Sequence, residues 1–163
     1  EYALGSQLEP AYAIFGDNFD WSTSADRLLL YVTNGMGEGS EAALLTSLGI
    51  NALRNARRAG LPVADQAALA DQALFARYRG EAYLSVLLVD LELASGTVRI
   101  VDAGSPRMLL LREGTVSRVD LDAQRPLGMF EENDYTAQEL LLRPGYLLLW
   151  VTQGRKSVAA AGG

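Results

Sequence analysis

Residues 27–45 read RLLLYVTNGMGEGSEAALL, and the three parts of that stretch call for three kinds of structure. The run RLLLYVT at 27–33 is continuous, apolar and rich in β-branched and aromatic residues, the pattern of a buried strand. Asn34-Gly35-Met36-Gly37-Glu38-Gly39 follows, and its glycines suit a tight strand-to-helix connection with positive φ. Ser40 is expected as a helix N-cap, with Glu41 setting a carboxylate against the positive end of the helix dipole. The helix should run to about residue 59, with Leu44, Leu45, Leu48, Ala52 and Ala56 on its apolar face and Gly60 just past its end.

Working outward, residues 9–15 form a plausible strand and residues 17–26 a polar connection to the buried run. Pro62 opens a second, alanine-rich helix through about residue 77, with Leu69, Ala70, Ala73 and Leu74 at helical spacing. From residue 82 the pattern becomes β: strands are expected at 83–93, 97–103, 108–112, 115–119, 135–142 and 146–152. Ser95-Gly96, Glu113-Gly114 and Pro144-Gly145 mark turns. Hairpin-linked strands make an antiparallel system. Two helices can cover one face of a sheet, and a second sheet can bury the other. The expected fold is therefore α+β, an antiparallel β-sandwich flanked by helices.

At 163 residues the chain supports one core, so residues 1–163 are read as a single domain. It starts at Glu1 and stops after Ala159-Ala160-Ala161-Gly162-Gly163, which reads as a fragment of a longer polypeptide. Fourteen basic against twenty acidic residues leave a net charge of −6, with no basic cluster beyond Arg54, Arg57 and Arg58. Nucleic acid is a poor partner for such a surface. There is no cysteine and no histidine. Disulfides, thiolate or His-ligated zinc, and a Ser/His/Asp triad are thereby excluded, and the reducing cytoplasm is the expected compartment. No apolar run approaches the roughly 20 residues that span a bilayer, so no membrane role is expected.

Five ordered segments carry a resemblance to a known family. The chain reads GDNFD at 16–20, VTNGMGEGSEAALL at 32–45, DAGSPRMLLLR at 102–112, RPLGMF at 125–130 and LRPGYLLLWVTQG at 142–154. These resemble the G-D-x-x-D and D-G-M/V-x-G-x-G, N-A-G-H-x-P-x-L-L-L, P-L-G-[LM]-F and L-x-P-G-D-x-L-L-L-Y-T-D-G segments of the SpoIIE-type branch of the protein phosphatase 2C (PPM) family. Members of that family hydrolyse phosphoserine or phosphothreonine with two manganese or magnesium ions bridged by aspartates. Hard dications call for anionic oxygen ligands, and a metal pair activates water while clamping phosphoryl oxygens.

The resemblance places Asp17 and Asp20 at the family's first acidic segment and Gly35 at the glycine whose carbonyl joins the metal site. Asn34 stands where the bridging aspartate belongs, Gln153 at the aspartate of T-D-G, and Ser105 at the histidine. The resemblance thus implies a degenerate metal site that binds manganese or magnesium weakly. The expected role is a regulatory or binding module, with a protein bearing phosphoserine or phosphothreonine as partner. Regulatory modules of this kind commonly form homodimers. The alternatives are an active phosphatase that keeps one metal through Asp17 and neighbouring carboxylates, and a fragment that lacks its last ligands.

Plainer readings stand beside these. Asp17 and Asp20 also suit Asx-turns, and the three glycines suit a simple turn. Glu38 and Glu41 read as solvated or capping residues, with rebuilding of a displaced metal site as the alternative. Trp21 and Trp150 are expected to pack in the core. Asn34-Gly35 is, in addition, a pair prone to deamidation.

Overall fold

The computed structural model describes residues 2–7, 18–35, 39–104, 107–152 and 155–161. In chain order these form β1 (Tyr2–Gln7), β2 (Asn18–Thr23), β3 (Arg27–Gly35), α1 (Ser40–Arg58), α2 (Val63–Tyr78), β4 (Leu84–Glu92) and β5 (Thr97–Ala103). There follow β6 (Arg107–Arg112), β7 (Thr115–Arg118), β8 (Gln138–Leu141), β9 (Leu147–Thr152) and β10 (Arg155–Ala161). One five-stranded sheet has the order β2-β3-β4-β5-β8, the other β1-β10-β9-β6-β7. Every neighbouring pair is antiparallel.

The buried run at 27–33 becomes β3, and its period-two alternation divides the core in two. Tyr31 packs toward the helices with Leu45, Leu53, Leu74 and Leu88. Leu30 and Val32 face the second sheet, where Leu87, Ile100, Met108 and Leu148 complete a second cluster. Both helices lie on the first sheet. Gly49 brings α1 close to it, since a Cβ there would sit 2.4 Å from Cδ2 of Leu84. The expected sandwich is what the chain forms, and no helix covers the outer face of the second sheet among the described residues.

Several local expectations change. The polar connection at 17–26 contains β2, which among the described residues is an edge strand paired with β3 alone. Ser40 is the first residue of α1 and Gly39, at φ 84°, takes the cap without a side-chain hydrogen bond. Leu44 and Leu69 are exposed, 64% and 44%, while Ala42, Thr46, Gly49, Ile50 and Leu53 of α1 and Val63, Gln66 and Asp71 of α2 turn inward. Trp21 is 54% exposed rather than packed. The strand expected at 135–142 shortens to β8, and β1 and β10 pair with each other. The strand expected at 9–15 lies outside the described residues.

Between β7 and β8 the chain runs without regular structure over residues 119–137 but is pinned at both ends. The side-chain amide of Gln124 donates to the Thr136 carbonyl (2.9 Å) and accepts from the Thr136 amide (2.8 Å), imitating a strand ladder. Leu127 exchanges two backbone hydrogen bonds with Leu84, both 2.9 Å. At the centre, fully buried Asp71 of α2 accepts through Oδ1 from the Gly128 amide (2.8 Å), the Asn133 side chain (3.2 Å) and the Tyr135 hydroxyl (3.2 Å). Burial, with the Asp71 charge second, raises the Tyr135 phenol far above its ordinary range, so it stays a donor. Gly128, at φ 86°, admits the close approach, because a Cβ would sit 2.7 Å from Cβ of Leu74.

Removing the shared acceptor takes away the partner of the buried Gly128 amide and of the Asn133 side chain, while the Tyr135 hydroxyl keeps the Arg125 carbonyl at 3.0 Å. Asp71→Ala is expected to lower the unfolding free energy by about 3 kcal/mol in urea denaturation. A loss below about 1 kcal/mol would show that apolar packing around Leu127 holds the segment without the carboxylate.

Candidate functional site

The resemblance directs attention to the C-terminal end of β3, and strand geometry settles which groups meet there. Asn34 lies opposite Ser85 and Gly35 opposite Leu84. By alternation Asn34 shares the inter-sheet face with Leu30 and Val32, and it is half-buried. Leu84 commits both its amide and its carbonyl to Leu127. In an antiparallel ladder a residue points both groups to the same side, so Leu84 offers neither to Gly35. The amide and carbonyl of Gly35 therefore point away from β4, to the side of β2. There the first described residue, Asn18, sits opposite Thr33.

Asp20 is placed elsewhere. It pairs with Tyr31 across β2 and β3 and so lies on the helix-facing side, opposite to Asn34. Its carboxylate takes a two-pronged hydrogen bond from Arg54 of α1, Nε to Oδ2 at 2.8 Å and an Nη to Oδ1 at 2.6 Å. A second basic group, Arg57, approaches Oδ2 at 4.0 Å. Beneath them Tyr31 donates to Oε1 of Gln66 (2.5 Å), and Gln66 donates to the Leu61 carbonyl (2.7 Å). Burial pushes the Tyr31 phenol up to about 12, which keeps it neutral. The cluster ties β2 to α1 and β3 to α2. Asp20 is here an anchor for α1, on the face of the sheet opposite to that of Asn34.

One carboxylate not singled out from the sequence does share the face of Asn34. Asp102 on β5 pairs with Leu87, a member of the inter-sheet core, and is 8% exposed. It stands where the family segment N-A-G-H begins with asparagine, so the signal was present as a departure from that pattern. Glu41 is exposed on the first turn of α1. Asp17, Glu38, Ser105 and Gln153 lie outside the described residues, and Trp150 is placed on β9 in register with Met108.

The donor set can be tested against a dication. At the end of β3 the described groups are the neutral amide of Asn34 and the neutral carbonyl of Gly35. Among the described residues no group of three or more Asp, Glu, His or Cys is placed to hold a metal. The described residues do not fit a two-metal centre.

A sandwich of two antiparallel sheets with two adjacent helices after β3, its glycine-rich connection opening α1, defines a phosphatase-type domain of the protein phosphatase 2C class. The chain belongs to the SpoIIE family: the family model described as Stage II sporulation protein E matches residues 24–159. No curated protein matches the sequence significantly. Among solved structures, the RsbU and RsbW domains of a Mycobacterium tuberculosis protein are similar at 26% identity and a TM-score of 0.76, over 92% of this chain and 42% of that one. The PP2C phosphatase domain with a regulatory fragment of SpoIIE from Bacillus subtilis is similar at 20% identity and a TM-score of 0.79, over 94% of this chain and 45% of that one. The catalytic domain of the serine/threonine protein phosphatase PstP, solved with two manganese ions, gives 16% identity and a TM-score of 0.64, over 100% and 98%. The chain thus spans less than half the length of the first two.

The Asp20 anchor yields a direct test. Arg54 is 40% exposed at its side chain, so solvent screens the pair. Asp20→Asn is expected to lower the unfolding free energy by about 1 kcal/mol, a loss that shrinks at high salt, and to leave the response to manganese unchanged. Intact stability together with an altered manganese response would contradict the placement of Asp20.

Proposed function

We propose that this domain is a phosphatase-fold regulatory or binding module whose metal centre is degenerate, and that it recognises a protein carrying phosphoserine or phosphothreonine. The observation that carries the reading is the charge balance at the end of β3. Asn34 is neutral where the family places a bridging aspartate, and Asp20 is engaged by Arg54 on the opposite face of the sheet. Gln153 stands at a second aspartate position of the family and removes another charge.

The magnitude decides between weak and strong binding. A unit charge about 4 Å from a dication interacts by roughly 8 kcal/mol at an effective dielectric of 20, before water compensates. If only about 3–4 kcal/mol of that survives, affinity still falls by on the order of 10²–10³. Two such losses leave a scaffold without a stable metal pair. When bound in the family's enzymes, the metals supply activated water and charge for the phosphoryl group. In this chain the strand-end groups can orient and hydrogen-bond a ligand, but they supply little of the charge.

A second reading, an active manganese- or magnesium-dependent phosphatase, is favoured by one observation. Asp102 keeps a buried carboxylate on the inter-sheet face, which would return part of the missing charge. Under that reading Asp102→Asn abolishes manganese affinity of the unmodified chain.

The deciding experiment is calorimetric titration of manganese into the unmodified chain and into Asn34→Asp/Gln153→Asp, with phosphate release from a phosphoserine peptide measured for both. The expected outcome is binding at least about 100-fold tighter in the double variant, with turnover confined to it. Tight binding and turnover by the unmodified chain would overturn the proposal.

A further inference from the structure

Asn34-Gly35 is the only Asn-Gly pair in the chain; the other asparagines, Asn18, Asn51, Asn55 and Asn133, precede Phe19, Ala52, Ala56 and Asp134. Its place in the fold bears on its chemistry. Succinimide formation needs the backbone nitrogen of the following residue to lose its proton and reach the asparagine Cγ. Two features of the β3 end favour that attack. Gly35 carries no Cβ to obstruct the approach, and its amide is not bonded to β4, because Leu84 spends both its backbone groups on Leu127. Gly35 is also the last described residue of β3, so on the β4 side closure releases the terminal Asn34–Ser85 pair rather than an interior ladder. Asn51 and Asn55 sit within α1, where each backbone is held from both sides.

From this geometry we infer that Asn34 is a site of spontaneous covalent modification, a deamidation that installs a carboxylate at the end of β3. The Gly35 nitrogen attacks Cγ of Asn34, a new C–N bond forms, and the side-chain amide leaves as ammonia. Water then opens the ring at either carbonyl to give aspartate or isoaspartate. No oxidant or cofactor is consumed, and the chain gains one mass unit and one negative charge.

The two products differ in what the strand accepts. Aspartate preserves the backbone and the pairing with Ser85. Isoaspartate inserts a methylene into the main chain and displaces Gly35 from its register with Leu84. The aspartate product carries a charge at the position where the family bridges its metals. That consequence rests on the proposed function, whereas the deamidation itself does not.

The test is to age the native protein at mildly alkaline pH beside the same chain unfolded in urea, and to follow all five asparagines by peptide mass mapping. In the native protein conversion is expected at Asn34 ahead of Asn18, Asn51, Asn55 and Asn133. It should run more slowly than at Asn34 of the unfolded chain, because extended backbone must open first, and it should slow as pH falls. An Asn34 that keeps its amide in the native protein while the unfolded chain converts would overturn the inference, as would conversion spread evenly over the asparagines. The deamidated fractions, separated by ion exchange, are then titrated with manganese. A converted aspartate form that gains no affinity would overturn the proposed function and leave the modification standing.

Discussion

Alternation of side chains along β3 is the constraint on which the rest of the molecule depends. It sends Tyr31 toward the helices and Leu30, Val32 and Asn34 toward the second sheet, so each face of one strand serves a different core. The same rule separates two residues that the sequence pattern groups together. Asp20, opposite Tyr31, is drawn into ion pairing with α1, while Asn34 is left between the sheets at the strand end. A carboxylate cannot serve both faces, and the helix face holds Asp20 with the stronger claim of two hydrogen bonds from one guanidinium.

The segment over residues 119–137 carries the consequences of that layering to the strand end. Asp71 holds it from α2, Gln124 closes it on Thr136, and Leu127 occupies the backbone of Leu84. Because Leu84 is so occupied, Gly35 keeps its amide and carbonyl free of β4. An anchor buried beneath one helix thereby fixes the direction in which a backbone group two strands away is presented. Three donors converge on a single carboxylate oxygen here. This is the kind of buried polar node that specifies one arrangement when it is satisfied.

Much of this fold was legible in the sequence. β3, β4, β5, β6, β7 and β9 are apolar or turn-bounded runs, and the helices announce themselves by spacing, although periodicity alone placed Leu44 and Leu69 on the wrong side of their helices. β2 was not legible. Its sequence NFDWST mixes acidic, aromatic and hydroxyl residues because it is an edge strand with an ion pair on one face and an exposed Trp21 on the other. Tyr135 reads as a strand residue by hydropathy but works as a hydrogen-bonding post in a loop, and nothing local to it in the chain names Asp71, 64 residues away. The candidate site was legible as a set of positions, Asn34 and Gly35 above all. Which carboxylates share their face is a matter of strand pairing, and that put Asp102 beside the site and Asp20 behind the sheet.

The central claim is that the described groups at the end of β3 are neutral donors to a metal, with Asp20 turned to the helices. The most direct measurement is paramagnetic broadening of backbone amide resonances as manganese is added to the unmodified chain. The account predicts that Gly35, Ser85 and Leu127 broaden no more than Tyr31, Arg54 and other residues of the helix face. Selective loss of the Gly35, Ser85 and Leu127 signals at low manganese would contradict it, because a metal would then be held where the charge is argued to be missing.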